Sequence, residues 1–142
     1  MIQKSKYVVW LFVFLVTGCS LQLVASYDPQ TERQMILIEK KVDYLYRTAE
    51  LTPPEQRQYA RFEKEYFDIE LEIRSLIRRQ LRRENNEETI KQVEMLANLW
   101  IQDRQAHQKN DALADFTIKR RTSQYQRMFT ALIEGETAKK TD

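Results

Sequence analysis

The sequence predicts an all-α protein, an elongated antiparallel bundle of three long helices, or of four if the last one divides. Its 142 residues include 2 Gly and 3 Pro, whereas most β architectures need turn residues about every 8–12 positions. Apolar residues recur at alternating spacings of three and four, the period of a helix face. Short polar segments between these runs make consecutive helices antiparallel neighbours.

The first element is an apolar run near the N-terminus. Lys4 and Lys6 precede residues 7–16, and Val16-Thr17-Gly18-Cys19 follows directly. A positive start, an apolar stretch and small residues are the layout of a secretory signal. The segment Val16-Thr17-Gly18-Cys19 resembles the lipobox of bacterial lipoproteins. This resemblance implies cleavage between Gly18 and Cys19, with residues 1–18 as signal peptide and residues 19–28 as lipidated cysteine and tether.

The same resemblance implies a location and a modification. Cys19 would carry diacylglycerol and an N-acyl chain, and we expect no other cofactor. Ser20 occupies the position where Asp is the familiar inner-membrane retention signal, which favours the outer membrane, facing the periplasm. The alternative is an uncleaved single-pass anchor, because residues 8–25 approach the length of about 20 apolar residues that spans a bilayer. Polar residues and Gly18 interrupt its second half.

The first helix is predicted from Pro29 to about Glu50. Asp28 before Pro29 is typical of an N-cap followed by proline at the first helical position, where the missing N–H costs nothing. Apolar side chains then recur at alternating spacings of three and four, which forms a seam along one face. They are Met35, Ile38, Val42, Leu45 and Ala49.

The segment Thr52-Pro53-Pro54-Glu55 is expected to end this helix and begin a second one. Thr52 can act as N-cap with Glu55 three residues on, which is a capping box. The second helix would be about 30 residues long and about 45 Å in length. Its seam comprises Tyr59, Phe62, Tyr66, Ile69, Ile73 and Leu76.

A third helical stretch begins after Asn85, which can cap with Glu88 three residues on. Neither Gly nor Pro occurs between 88 and 134, so one continuous helix and a bend near residues 107–110 both remain open. Gly135 is expected to end the last helix. The bundle domain is therefore predicted over residues 29–134, and a disordered tail over residues 135–142.

Charge and composition exclude several function classes. Removal of residues 1–18 deletes Lys4 and Lys6 and leaves 21 basic and 21 acidic residues, a balance that argues against a nucleic-acid binder. His107 is the single histidine and has no partner for a metal site. No glycine-rich or nucleophile motif is present. We therefore expect that the protein is not an enzyme and has no catalytic residue, no metal site and no small-molecule substrate.

Two groups of residues are candidates for an interaction site. Trp100 with Tyr59 and Phe62 could form a partner groove, with core packing as the alternative. A basic cluster at the end of the second helix could bind anionic lipid, glycan or an acidic partner, with helix-dipole compensation as the alternative. The cluster comprises Arg78, Arg79, Arg82 and Arg83.

The leading hypothesis is a membrane-anchored, non-enzymatic accessory module that binds another envelope protein. The layout resembles that of small helical lipoproteins of Gram-negative bacteria, a resemblance that is specific for the signal and architectural elsewhere. The alternative is a structural lipoprotein that self-associates as a coiled coil through its seams.

Overall fold

The computed structural model describes residues 23–141, which form four α-helices and no strand. Helix α1 spans Pro29–Leu51, α2 Glu63–Gln80, α3 Glu87–Asn110 and α4 Asp115–Ala138. Short 3-10 turns cover Pro54–Gln56, Tyr59–Arg61 and Lys139–Thr141. The prediction of an all-helical fold is confirmed for the described residues, which form four helices, the larger of the two predicted numbers. The predicted residues Gly18 and Cys19 lie outside this range.

Successive helices run antiparallel. The start of α1 lies beside the end of α2, where Gln80 Nε2 donates to Thr31 Oγ1 at 3.0 Å. Midway along the pair, Lys41 Nζ lies 3.0 Å from Glu72 Oε1. Helix α4 packs on α1, and α3 contacts both α2 and α4. This arrangement is consistent with the predicted bundle.

The core is a single cluster that all four helices supply. The seam predicted in α1 is buried along its whole length, each side chain being 2% exposed or less. The predicted members Tyr66, Ile69, Ile73 and Leu76 of the second helix are equally buried. Close packing of these seams, rather than helix propensity, is what stabilises helices of this length.

The start of α1 confirms the sequence prediction, whereas its end corrects one. Asp28 Oδ1 accepts from the backbone of Gln30 at 3.0 Å, as an N-cap does. Thr52, however, is the C-cap of α1, and its hydroxyl donates to the carbonyl of Thr48 at 2.7 Å. The expected capping box is therefore wrong: two 3-10 turns follow, and α2 begins at Glu63.

A buried arginine explains why α2 begins at Glu63 and not near Pro53. Arg57 Nε donates to the Thr52 carbonyl at 2.7 Å, and its Nη1 reaches the Leu113 carbonyl at 3.0 Å and Asp115 at 2.6 Å. These bonds tie the α1–α2 connection to the α3–α4 connection. A guanidinium with several buried acceptors outweighs local helix propensity.

The remaining boundaries also differ from expectation. Asn85 has a positive φ of 53°, and Asn86, one residue later than predicted, precedes α3. The open question between 88 and 134 resolves into two helices, because Asp111 takes the left-handed region with φ of 46°. The last helix continues through Gly135 to Ala138, so Gly135 does not end it and residues 135–138 are helical.

Candidate interaction surfaces

The aromatic residues proposed for a partner groove lie in the core. Trp100 is 0% exposed, Phe62 2% and Tyr59 9%. The indole Nε1 donates to the carbonyl of Tyr66 at 3.1 Å, so the polar edge of the ring is also satisfied. Trp100 thereby joins α3 to α2, and Tyr59 and Phe62 lie just before α2 with buried side chains. The structure supports the alternative of core packing for all three.

His107 is part of the same aromatic layer. Its Nε2 lies 2.8 Å from the Arg57 carbonyl, which can only accept, so Nε2 carries the proton and donates. Its Nδ1 then accepts from the Tyr66 hydroxyl at 3.2 Å. Burial lowers the pKa of His107 below its ordinary value. Both ring nitrogens are engaged inside the protein, so the neutral imidazole has a structural role.

This burial predicts a pH dependence of stability. Below the ordinary pKa of 6.5, the unfolded chain takes up a proton that the folded chain refuses, so the free energy of unfolding falls as the pH drops. His107→Gln, which keeps a donor and an acceptor, should make that fall smaller between about pH 7.5 and about pH 5. Urea unfolding of both proteins at the two pH values measures it. An equal fall in both would contradict the assignment.

A buried carboxylate joins three helices. Asp103 Oδ2 accepts from the hydroxyls of Tyr46 at 3.1 Å and Tyr125 at 2.8 Å. Its Oδ1 lies 2.7 Å from Arg121. Burial raises the pKa of both tyrosines above the ordinary value, so they stay neutral donors. The two phenols also line a cleft of about 260 Å³ between α1 and α4. The carboxylate spends its acceptors on protein donors, which gives the cluster a structural role.

The basic cluster divides into two inward and two outward arginines. Arg79 donates to two glutamine side chains of α1 at 2.8 and 3.1 Å. The Arg83 side chain is 14% exposed and lies 2.9 Å from Glu136 on α4. Arg78 and Arg82 face solvent and form no ion pair with another described residue. The structure therefore leaves two of the four predicted residues available to a ligand.

The chain before α1 is held against the body. Residues 25–28, here called the strap, cross the end of the molecule where α1 and α3 begin and α2 and α4 end, here called the near pole. The Ala25 amide donates to the Asn85 carbonyl at 2.9 Å. The Asp28 amide donates to Glu136 Oε1 at 2.8 Å. These bonds connect the strap to both the α2–α3 turn and α4.

Side chains reinforce the strap. The Arg83 guanidinium donates to the Ser26 carbonyl, and the Tyr27 hydroxyl donates to Glu32. Lys140 Nζ lies 4.5 Å from the centroid of the Tyr27 ring and 3.1 Å from Glu32 Oε2. Residues 26–28, the last part of the predicted lipidated cysteine and tether (residues 19–28), are thus part of the folded body.

An exposed apolar ridge on α2 is a candidate surface that sequence reasoning missed. Phe67 is 59% exposed and Leu71 48%. With Arg74 and Arg78 they are spaced four, three and four residues apart, which makes one stripe on the outer face. The signal that could have identified it was the presence of apolar residues in α2 outside the predicted seam. We call these four residues the α2 ridge.

Comparison with protein-family models, with curated proteins and with solved structures finds no match for this chain. None of the described helices is long and apolar enough to cross a membrane. Within residues 23–141, His, Asp and Glu side chains do not gather into a group that could hold a metal ion. The candidate functional features of the described residues are therefore two surfaces. One is the apolar and basic α2 ridge, and the other is the near pole, to which the strap is bonded.

Proposed function

We propose that this chain is a lipoprotein anchored through Cys19 to the outer membrane, facing the periplasm, and that it serves as a non-enzymatic interaction module of an envelope assembly. The observation that carries the proposal is Val16-Thr17-Gly18-Cys19 directly after an apolar run. Acyl chains contribute about 0.8 kcal/mol per buried methylene, so several chains on one cysteine give stable attachment.

The α2 ridge supports the interaction role. Phe67 and Leu71 are large apolar side chains on the face of α2 opposite its buried seam. A stripe of this kind, flanked by Arg74 and Arg78, fits a partner helix that buries apolar anchors and offers acidic groups at the rim. Anchoring confines encounters to the membrane plane and thereby raises the effective concentration of the partner.

The anchor is tested by expression of the full chain in a Gram-negative host with radiolabelled palmitate. We expect label in the wild-type protein and in Ser20→Ala, a matched control, and none in Cys19→Ser. Mass spectrometry should find a mature chain that begins at an acylated Cys19. An intact Met1 with a free thiol would reject the lipid anchor and support the uncleaved membrane anchor instead.

The interaction role is tested in the same cells with a photo-crosslinking side chain at position 67. Position 95 is the matched control, because Met95 is 64% exposed on a different helix. We expect a cross-link to an envelope protein from position 67 and none from position 95. A product of twice the chain mass would support the self-associating alternative. No product from either position would contradict an interaction surface on the α2 ridge.

A further inference from the structure

Three exposed apolar side chains lie in the two segments that meet at the near pole, the chain ahead of the strap and the α2–α3 turn. Leu23 is 82% exposed and Val24 48%, directly ahead of the strap. Leu81, at the end of α2, is 60% exposed. The bond from the Ala25 amide to the Asn85 carbonyl brings the chain directly after Val24 to the α2–α3 turn. Aliphatic side chains with this exposure gain free energy by leaving water.

Chain length limits how far this pole can stand from a lipid on Cys19. Ala25 is six positions after Cys19, and an extended chain covers at most about 3.6 Å per position, or about 22 Å in all. Because the strap is bonded to α4 as well as to the α2–α3 turn, the body cannot swing out on residues 25–28. The opposite end of α1 lies about 35 Å away along the helix at 1.5 Å per residue.

We infer that the near pole is a membrane-contacting surface, in which Leu23, Val24 and Leu81 enter the headgroup region and Arg78 and Arg82 face anionic phosphates. This inference rests on the proposed lipid anchor. The α2 ridge then runs away from the membrane, with Arg78 nearest to it and Phe67 farthest from it. Leu51 lies at the opposite end of the molecule. Exposed leucine beside arginine is the composition that interfacial contacts favour.

The apolar side chains should contribute more to membrane binding of the near pole than Arg78 and Arg82 do. Glu84 and Glu87, in and after the adjoining turn, are exposed and offset part of the positive charge of Arg78 and Arg82. Attraction to anionic lipid should therefore be modest and sensitive to salt. The contact should persist on neutral lipid and become closer when anionic lipid is added.

The test uses two exposed leucines at opposite ends of the molecule, Leu81 at 60% and Leu51 at 70% exposure. The full lipidated chain carries Leu81→Cys or Leu51→Cys with a fluorophore; the thioether at Cys19 leaves the new thiol unique. Vesicles contain phosphatidylethanolamine, phosphatidylglycerol and a lipid with a headgroup nitroxide quencher. We expect quenching several-fold stronger at position 81 than at position 51.

Flotation of the same vesicles separates the two ways of failing. If the chain floats and both labels are quenched equally, or position 51 more, the membrane-contacting pole is wrong while the anchor stands. If the chain does not float, the anchor and the pole are both rejected. Arg78→Gln with Arg82→Gln, in the Leu81→Cys background, should lose the part of the quenching that depends on phosphatidylglycerol and keep the rest. Complete loss of quenching in that variant would overturn the apolar contribution.

Discussion

Replacement of Trp100 by alanine is expected to lower the free energy of unfolding by about 3–5 kcal/mol, the usual cost of deleting a large buried aromatic side chain. The indole is 0% exposed. Its ring centroid lies 5.2 Å from that of Tyr66 and 5.7 Å from that of Tyr125. Removal would open a cavity where α2, α3 and α4 meet and delete the hydrogen bond from the indole to the Tyr66 carbonyl.

Urea unfolding of the full chain, followed by far-ultraviolet circular dichroism, measures this loss. Trp100→Phe should cost less, because most of the volume is kept, and it gives a measurable value if the alanine variant does not fold. Met95→Ala is the matched control on the same helix; at 64% exposure its effect should stay within about 0.5 kcal/mol. An unchanged stability in Trp100→Ala would restore this residue as a candidate for partner contact.

The helix seams could be predicted because their signal is periodic and local. In α1, side chains spaced three and four residues apart share one face whatever the rest of the chain does, and that face is buried. The boundaries of α2 and α3 could not be predicted, because long-range contacts decide them. The left-handed Asp111 is held by the Tyr59 amide, which donates to its Oδ1 at 2.8 Å, and Arg57 holds open the segment before α2.

The candidate site was harder to predict because burial decides the role of a residue and composition does not. Tyr59, Phe62 and Trp100 lie on seams, and a seam position in four packed helices is a core position. The arginines near residue 80 are similar in sequence, yet Arg83 turns inward because its partner Glu136, 53 residues along the chain, comes from another helix. No local pattern identifies a partner at that separation.

Glu136→Gln is expected to destabilise the protein by about 3–5 kcal/mol, because loss of one partner leaves buried cations uncompensated. The Glu136 side chain is 0% exposed, and Arg83 and Lys139 lie 2.9 and 2.7 Å from its oxygens. Burial by itself would raise the pKa of Glu136, but hydrogen bonds from Arg83, Lys139 and the Asp28 amide lower it. The carboxylate is therefore charged at neutral pH and holds the strap and the α2–α3 turn to α4.

The lowered pKa of Glu136 also determines how the free energy of unfolding changes with pH. Because folding lowers the pKa, the stabilisation is present above the unfolded value near 4.5 and is lost as the pH falls through the folded value. Glu136→Gln should therefore flatten the stability profile on the acid side; Glu134→Gln, at an exposed position of the same helix, is the matched control variant. In amide hydrogen exchange, Glu136→Gln should also deprotect the amides of Ala25 and Asp28. Wild-type protection of those amides in a destabilised variant would show that Glu136 stabilises the helices without holding the strap.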